Sequence, residues 1–263
     1  MTSQFAPLLR NEIAKAARRK LPYFGIFAVG LVCVIVFFIG GQLGNAANAW
    51  GYLGFSMQLV FTDIGPISIV AFAAMLLAEE TGAGTIRAAL AAPVHRREFY
   101  LAKAVTGLVY MMVLSASALA LSAALASIHY RFGAVADSAG VVYGRREVME
   151  EFLLSCALSW IPLGALVMYG LLISTLIRSP GAAVSVGICS LFLIDFTKHL
   201  LGLDPYIFTR YITYSWLTLQ QVAQGMDYQW RPEVWKMIAL CGMSSVIAFG
   251  AGLILFVRQD LNH

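Results

Sequence analysis

Long apolar runs alternate with shorter polar segments along this chain. Six such runs cover roughly residues 22–43, 56–78, 104–128, 152–177, 180–200 and 234–257. A helix that crosses a bilayer needs about 20 apolar residues. The runs are apolar on every side, as in GIFAVGLVCVIVFFIGG at residues 25–41, whereas a transmembrane strand would alternate apolar and polar residues. The pattern predicts an all-α polytopic membrane protein with six transmembrane helices, forming a single transmembrane domain over residues 1–263.

The composition supports this class. The chain is 60% hydrophobic and only 12% charged, which is about half the charged fraction of an average soluble domain. Its four cysteines fall within the predicted spans and lack metal-ligand spacing; they are Cys33, Cys156, Cys189 and Cys241. We therefore expect small core residues there, with neither a disulfide framework nor a metal site.

Residues 1–21 have an amphipathic pattern. The apolar positions at helical spacing are Leu8, Leu9, Ile13, Ala16 and Ala17, and the basic residues between and after them are Arg10, Lys15, Arg18, Arg19 and Lys20. This pattern predicts an interfacial helix that lies on the membrane before the first span. The alternative is a plain basic flank that only orients the first span.

The distribution of Lys and Arg predicts the orientation of the chain. With the N-terminus in the cytoplasm, eleven of the 18 Lys and Arg residues fall on the inside, as the positive-inside rule requires. We therefore predict a multi-pass protein of the cell membrane with both termini cytoplasmic. Residues 79–103 form the largest cytoplasmic loop, and residues 44–55 lie outside.

The remaining outer segments give weaker signals. Residues 130–151 mix charges and predict a short helix, while residues 201–230 are rich in Tyr and Trp. Aromatic residues of this kind are typical of the membrane interface. Contact with an amphipathic substrate is the alternative role for these tyrosines.

The loop at residues 79–103 has the pattern of a hinge, a short helix and a second helix start. Gly82 and Gly84 end the preceding helix, Thr85 is a suitable N-cap for residues 86–92, and Pro93 suits the first turn of the next helix. Within the short helix, Ile86 and Leu90 share one apolar face.

That apolar face predicts contact with a partner, because a lone solvated helix would leave it exposed to water. Glu79 and Glu80 oppose the dipole of the helix that they end. They therefore require a compensating cation, either Arg87 or a group on a partner. An ordinary solvated loop is the alternative interpretation.

The order of residues in this loop resembles the loop after the second span in permeases of the ABC-2-type exporter family. The matching elements are Glu79 or Glu80, Gly84-Thr85, Leu90, Pro93, Arg96 and Lys103. The resemblance implies a cytoplasmic coupling helix between spans two and three that docks on a separate ABC ATPase. It also implies a second permease chain, as a homodimer or heterodimer, and ATP with Mg in the partner ATPase.

The residues implied in docking are Glu79, Glu80, Thr85, Ile86, Arg87, Leu90, Pro93 and Arg96. This chain has no phosphate loop that ends in Gly-Lys-Ser or Gly-Lys-Thr. We therefore expect no catalytic residues, no metal and no cofactor in the chain itself. Membrane lipid is the other expected partner, and nucleic acid is not expected.

Two alternatives to a permease stay open. One is a scaffold or channel subunit that does not transport. The other is an intramembrane enzyme, because Glu79-Glu80 resembles the start of the motif of CAAX-type proteases. In that motif an Arg stands where this chain has Gly84, and the histidines needed on apolar helices are absent. The sequence leaves the substrate undetermined.

Ionisable residues inside predicted spans are candidates for function. Asp63 precedes Gly65-Pro66, which can loosen a helix, and Asp195 lies three and four residues before Lys198 and His199. We predict Asp63 and Asp195 as possible residues of a substrate path. The alternatives are that Asp63 caps an interfacial kink and that Asp195 belongs to a neutralising interfacial cluster.

Overall fold

The computed structural model describes residues 5–40, 48–84, 95–137, 140–226 and 231–258. Its α-helices are α1 (Phe5–Ala17), α2 (Lys20–Gly40), α3 (Ala49–Thr62), α4 (Ile64–Gly82), α5 (Arg96–His129), α6 (Arg145–Leu176), α7 (Pro180–Leu200), α8 (Tyr214–Ala223) and α9 (Arg231–Arg258). Strands β1 (Val135–Asp137) and β2 (Gly140–Tyr143) form an antiparallel hairpin, and 3-10 helices cover Asp204–Tyr206 and Phe208–Ile212.

The predicted fold class is confirmed. In the part of the chain that the structure describes, six helices, namely α2, α4, α5, α6, α7 and α9, are long and apolar enough to cross a membrane. Helices α5 and α6 contain 34 and 32 residues, so each is well longer than the about 20 residues that a span requires. Both begin before the predicted ranges 104–128 and 152–177, at Arg96 and Arg145.

Helices α4 and α6 form the centre of the bundle. They cross closely at Gly170, where an added Cβ would lie 2.6 Å from the Ala73 side chain and 3.1 Å from the Val70 carbonyl oxygen. Helices α2, α7 and α9 surround this centre and leave apolar residues such as Phe38, Phe196 and Val246 exposed. These outer faces are suited to lipid or to another membrane helix.

The second predicted span, 56–78, does not correspond to one helix. Asp63 separates α3 from α4, and the helix suited to crossing the membrane is Ile64–Gly82. The helix interruption expected near Gly65-Pro66 therefore occurs, and it lies at Asp63. The Asp63 side chain makes no capping hydrogen bond to α4.

Helices α3 and α8 pack against each other inside the bundle. Gly54 makes this close contact possible, since an added Cβ would lie 2.9 Å from the backbone nitrogen of Gln220. Asn48 Nδ2 also donates to the carbonyl oxygen of Ala223 at 2.8 Å. Contrary to the aromatic-belt interpretation, Tyr211 and Trp216 are buried in the core.

Two further predictions require correction. Within residues 130–151, the β1–β2 hairpin precedes α6, and the helical part is the start of α6 at Arg145 and not a separate short helix. Cys33 and Cys241 are buried as expected, whereas Cys189 is exposed on α7. A cysteine on the outer face of a span does not serve as a core residue.

The bundle has two ends. The loop end carries α1, the end of α4, the start of α5, the turn between α6 and α7, and the end of α9. The hairpin end carries β1, β2 and the last turn of α7, where Lys198 and His199 lie.

Candidate functional site

Helix α1 packs on α5 at the loop end and places one acidic residue inside the protein. Glu12 is 2% exposed and is the buried residue of this helix. Leu8, Glu12 and Lys15 follow helical spacing, so they share one face of α1. This face is directed at the bundle, and Glu12 is the charged group on it that reaches the interior.

Lys103, in the second turn of α5, is the partner of Glu12. Its side chain is fully buried, and Nζ donates to Glu80 Oε1 at 2.6 Å and also to Glu12 Oε2. The Nζ atom lies 5.1 Å from the centroid of the Phe99 ring, within cation–π range. A buried ammonium group is strongly unfavourable without such partners. Lys103 therefore joins α1 to the end of α4.

Two cations of the N-terminal segment complete the arrangement. Lys15 Nζ lies 2.7 Å from Glu12 Oε1 and 3.3 Å from Glu80 Oε1. Arg19 Nη2 lies 2.9 Å from Glu79 Oε2. The six residues of this loop-stem cluster are Glu12, Lys15, Arg19, Glu79, Glu80 and Lys103.

The electrostatics of α1 agree with an ionised cluster. Burial disfavours the charged carboxylate of Glu12, but Lys103 and Lys15 outweigh this effect, and the pKa of Glu12 lies below its ordinary value. Burial likewise disfavours the charged form of Lys15, yet Glu12 and Glu80 raise the pKa of Lys15. Both groups are therefore charged at neutral pH.

Further contacts fix both stems of the 79–103 loop. Gly82 approaches the turn between α6 and α7, where an added Cβ would lie 2.8 Å from the carbonyl oxygen of Arg178. Gly84 then adopts a left-handed conformation with φ of 67°, which only glycine adopts readily. On the other stem, Arg96 Nη1 donates to the carbonyl oxygen of Val257 at 3.0 Å.

The predicted docking residues fall into two groups. Glu79, Glu80 and Arg96 are described at the two stems. The others lie outside the described residues, namely Thr85, Ile86, Arg87, Leu90 and Pro93. The cations that compensate Glu79 and Glu80 are Arg19, Lys15 and Lys103, which were not the ones predicted. The acidic pair therefore no longer argues for a cationic group on a partner.

Sequence reasoning missed Glu12, Lys15 and Arg19 as members of this cluster. One signal pointed to Glu12. It is the sole acidic residue within residues 1–21, which also contain five basic residues, and it lies on the apolar face of the predicted helix. Lys103 gave a similar signal as a lysine at the start of an apolar run. The sequence contains nothing that pairs these two residues, which are 91 positions apart.

A cavity of about 290 Å³ brings together the two residues predicted for a substrate path. Asp63 reaches it from the junction of α3 and α4, and Asp195 from the second half of α7. Phe61, Ile67 and Leu191 supply apolar parts of the wall. The cavity therefore offers polar and apolar surfaces to the same occupant.

Charged groups in this cavity pair mainly with one another. Lys198 forms an ion pair with Asp195, lies 3.7 Å from Asp204 Oδ1, and donates to Thr209 Oγ1 at 3.2 Å. His199 Nδ1 lies 2.7 Å from Asp204 Oδ2. Asp195 and Lys198 thus form a neutralising ion pair, as in the alternative interpretation of Asp195. His199 pairs with Asp204, which lies outside α7.

A family model described as ABC-2 family transporter protein matches residues 8–194. The matched range contains the whole loop-stem cluster, the 79–103 loop and Asp63, and it ends just before Asp195. No curated protein matches the chain. The predicted family resemblance is confirmed by the family model.

Proposed function

Because this chain belongs to the ABC-2 family of transporter proteins and is a permease component of an ABC transporter, we propose that it exports its substrate when a separate ATPase docks on residues 79–103. The family implies an ATPase partner and usually a dimeric assembly, and its members usually lack an ATPase site of their own. As part of this proposal, we assign ATP and Mg to the partner ATPase.

The observation that carries the docking proposal is the loop-stem cluster. Buried ion pairs join the last turn of α4, the second turn of α5 and helix α1 at the two stems of one loop. A force on the loop would therefore act on three helices together, since buried charges resist separation. Gly82 extends this path to the turn between α6 and α7.

Within the loop, Ile86 and Leu90 are the proposed contact with the ATPase, flanked by Thr85, Arg87 and Pro93. Glu80 and Lys103 act indirectly, because their side chains are buried and directed inside the chain. They hold the stems at a fixed separation. Glu79 and Arg96 contribute in the same way through Arg19 and the Val257 carbonyl oxygen.

We place the loop and both termini in the cytoplasm of a cell, with the permease in the plasma or inner membrane. The test is labelling of single cysteines with an impermeant reagent in intact cells. A cysteine at Asn48 should react, and a cysteine at Ala88 should not. The reverse result would overturn the orientation.

A second permease chain completes the proposed assembly, and we place its contact on the exposed face of α2. Gly25 faces its own protomer, because an added Cβ would lie 2.2 Å from the Tyr110 hydroxyl oxygen and 3.2 Å from Ser68. Exposed apolar residues of α2, such as Phe24 and Phe27, remain suitable for a partner.

For transport itself, the proposed path includes the cavity that contains Asp63 and Asp195. Its mixed wall suits a substrate with both apolar and polar groups, and the substrate itself stays open. A non-transporting scaffold or channel subunit is the competing function. It would be favoured if the ATPase were absent from the purified complex.

The decisive experiment is Leu90→Asp, with pulldown of the ATPase and stimulated ATP hydrolysis as readouts. A carboxylate forced into an apolar contact costs several kcal/mol when it is unpaired, so binding and stimulation should be lost at normal membrane expression. Arg87→Glu should weaken binding less, by about 1 kcal/mol if the residue lies at the rim.

Ala88→Asp is the matched control, because it adds the same carboxylate two residues away, on the other side of the predicted short helix. It should bind the ATPase like the unmodified chain. Normal binding by Leu90→Asp would contradict docking through this face. Equal loss in both variants would show that any charge in the loop interferes.

A further inference from the structure

An apolar slot lies between helix α1 and the bundle at the loop end. It has a volume of about 170 Å³ and is lined by α1, α2, α4 and α5. Phe72 and Tyr110 lie at its buried side with their ring centroids 4.1 Å apart. Ala16 and Ile26 are among its half-buried walls. The slot is thus a gap beneath α1 that protein side chains leave unfilled.

The slot opens toward the outer surface of the bundle. Tyr23 is 58% exposed and Val113 is 49% exposed, and both belong to its lining. The Tyr23 hydroxyl donates to the carbonyl oxygen of Ala17 at 2.8 Å, which fixes the end of α1 beside α2. An occupant can therefore enter from the side of the bundle, where lipid surrounds a membrane protein.

Basic residues follow directly on the slot's lining along the chain. Residues 18–21 connect Ala17 to Pro22, which both line the slot, and they include Arg18, Arg19 and Lys20. Arg18 and Lys20 are exposed. Arg19 is half-buried, its Nη2 atom pairs with Glu79, and its Nη1 atom is buried. Two exposed cations therefore lie on the short segment that joins two residues of the slot wall.

We propose that this slot binds one acyl chain of an anionic phospholipid, whose phosphate is held by Arg18 and Lys20. The two halves of the site match the two halves of such a lipid: an apolar wall for the chain and cations for the headgroup. A soluble anion would use the cations alone and leave the slot empty. A neutral lipid would fill the slot without using the cations.

A lipid bound at this site would attach α1 to the membrane surface. The loop-stem cluster attaches the same helix to the rest of the protein. Arg19, which pairs with Glu79, lies between Arg18 and Lys20 in the sequence. The site is independent of transport and of any ATPase, so it can be tested on the permease alone.

The test is native mass spectrometry of the full chain in detergent, titrated with dioleoyl phosphatidylglycerol or with dioleoyl phosphatidylcholine. The two lipids have the same acyl chains and differ in net charge. We expect tight binding of one phosphatidylglycerol per chain. Arg18→Gln with Lys20→Gln should reduce its affinity about tenfold or more, since basic residues near a lipid surface each add attraction to anionic headgroups.

Two variants test the slot itself. Val109→Trp fills it from α5, and Val113→Trp narrows its exposed mouth, where a larger side chain is compatible with folding. Either should remove the tight phosphatidylglycerol while the melting temperature stays unchanged. If tight binding survives Val113→Trp in a folded protein, the acyl chain does not lie in this slot, and the proposal is overturned.

Arg131→Gln with Arg145→Gln is the charge-matched control, because both residues are exposed and belong to the segments at the hairpin end. This double variant should bind phosphatidylglycerol like the unmodified chain. The proposal fails if the control lowers binding equally. It also fails if the unmodified chain binds both lipids with the same affinity.

Discussion

Within the described residues, two ion-pair clusters are built around a buried lysine. One of them connects helices, whereas the other mainly neutralises charge locally. Lys103 is fully buried and pairs with Glu12 and Glu80, which are also almost fully buried. Lys198 is 7% exposed, but the side chains of its partners Asp195 and Asp204 are 50% and 31% exposed.

The two clusters also differ in the distance along the chain that they bridge. Lys103 joins residues 91 and 23 positions away, on helices α1 and α4. Lys198 pairs with Asp195 three residues earlier on the same helix. The first cluster therefore holds separate helices together, whereas the second mainly compensates charge beside an open cavity.

The largest expected effect comes from replacing each lysine with methionine. Lys103→Met leaves two buried carboxylates facing each other, so we expect a loss of about 3–5 kcal/mol in the free energy of unfolding. Lys198→Met should cost about 1 kcal/mol or less, because water reaches its partners. Titration with SDS in mixed micelles measures both.

Neutralising the whole buried triad tests the cause. Glu12→Gln and Glu80→Gln combined with Lys103→Met should recover most of the lost stability, since no uncompensated buried charge remains. Similar losses for Lys103→Met and Lys198→Met would remove the distinction between the clusters. Failure of the triple variant to recover would assign the loss to packing of the lysine stem.

A smaller effect is expected from removing one carboxylate at each end. Glu12→Gln weakens charged hydrogen bonds to Lys103 and Lys15, a loss of about 2 kcal/mol. It should also detach α1, so trypsin should cleave after Arg10 faster than in the unmodified chain. Asp195→Asn should change the stability by less than about 1 kcal/mol.

The cleavage rate distinguishes a role of Glu12 in attaching α1 from a general contribution to stability. Faster cleavage after Arg10 in Asp195→Asn would indicate that trypsin reports global loosening. An unchanged rate in Glu12→Gln would show that the apolar contacts of Leu8 and Ala16 suffice to hold α1.

The smallest expected effect is a dependence of the free energy of unfolding on pH, which arises from charged groups at the loop end. The folded-state pKa of Glu12 is lowered, so its stabilisation is present above the unfolded pKa of about 4.3 and is lost as pH falls through the folded value. The pKa of Lys15 is raised, so its stabilisation is present below about pH 10.4 and is lost as pH rises through the folded value.

The free energy of unfolding, measured between about pH 2 and pH 7, should therefore decline below the unfolded pKa of about 4.3. In Glu12→Gln, the part of this decline that comes from α1 should be absent. In Asp195→Asn, the full decline should be observed. An acid decline of the same size in Glu12→Gln would assign the effect to other carboxylates.

Several features could be predicted from the sequence because they depend on neighbouring residues. Apolar runs of sufficient length predicted six membrane helices, and Gly82 with Gly84 predicted the end of α4. The order of Glu79, Gly84, Leu90 and Pro93 predicted the family. The location of Asp63 beside a helix interruption also followed from local signals, although the interruption occurs at Asp63 itself.

Other features required the fold. The hydropathy of residues 201–230 suits a membrane surface, yet Tyr211 and Trp216 are buried, because α8 packs against α3 through Gly54. The amphipathic pattern of α1 predicted its apolar face but not that Glu12 enters the protein. A carboxylate can be buried there only because Lys103 arrives from a helix far along the chain.

The sequence by itself therefore determined the class of the protein, the number of its spans and the position of its charged loop, since each depends on hydrophobicity or turn chemistry summed over short stretches. The tertiary structure alone decided which charges meet. Glu12, Glu80 and Lys103 are separately unfavourable in an apolar environment, and together they are compatible with it. Their pairing depends on distances in space that no local pattern contains.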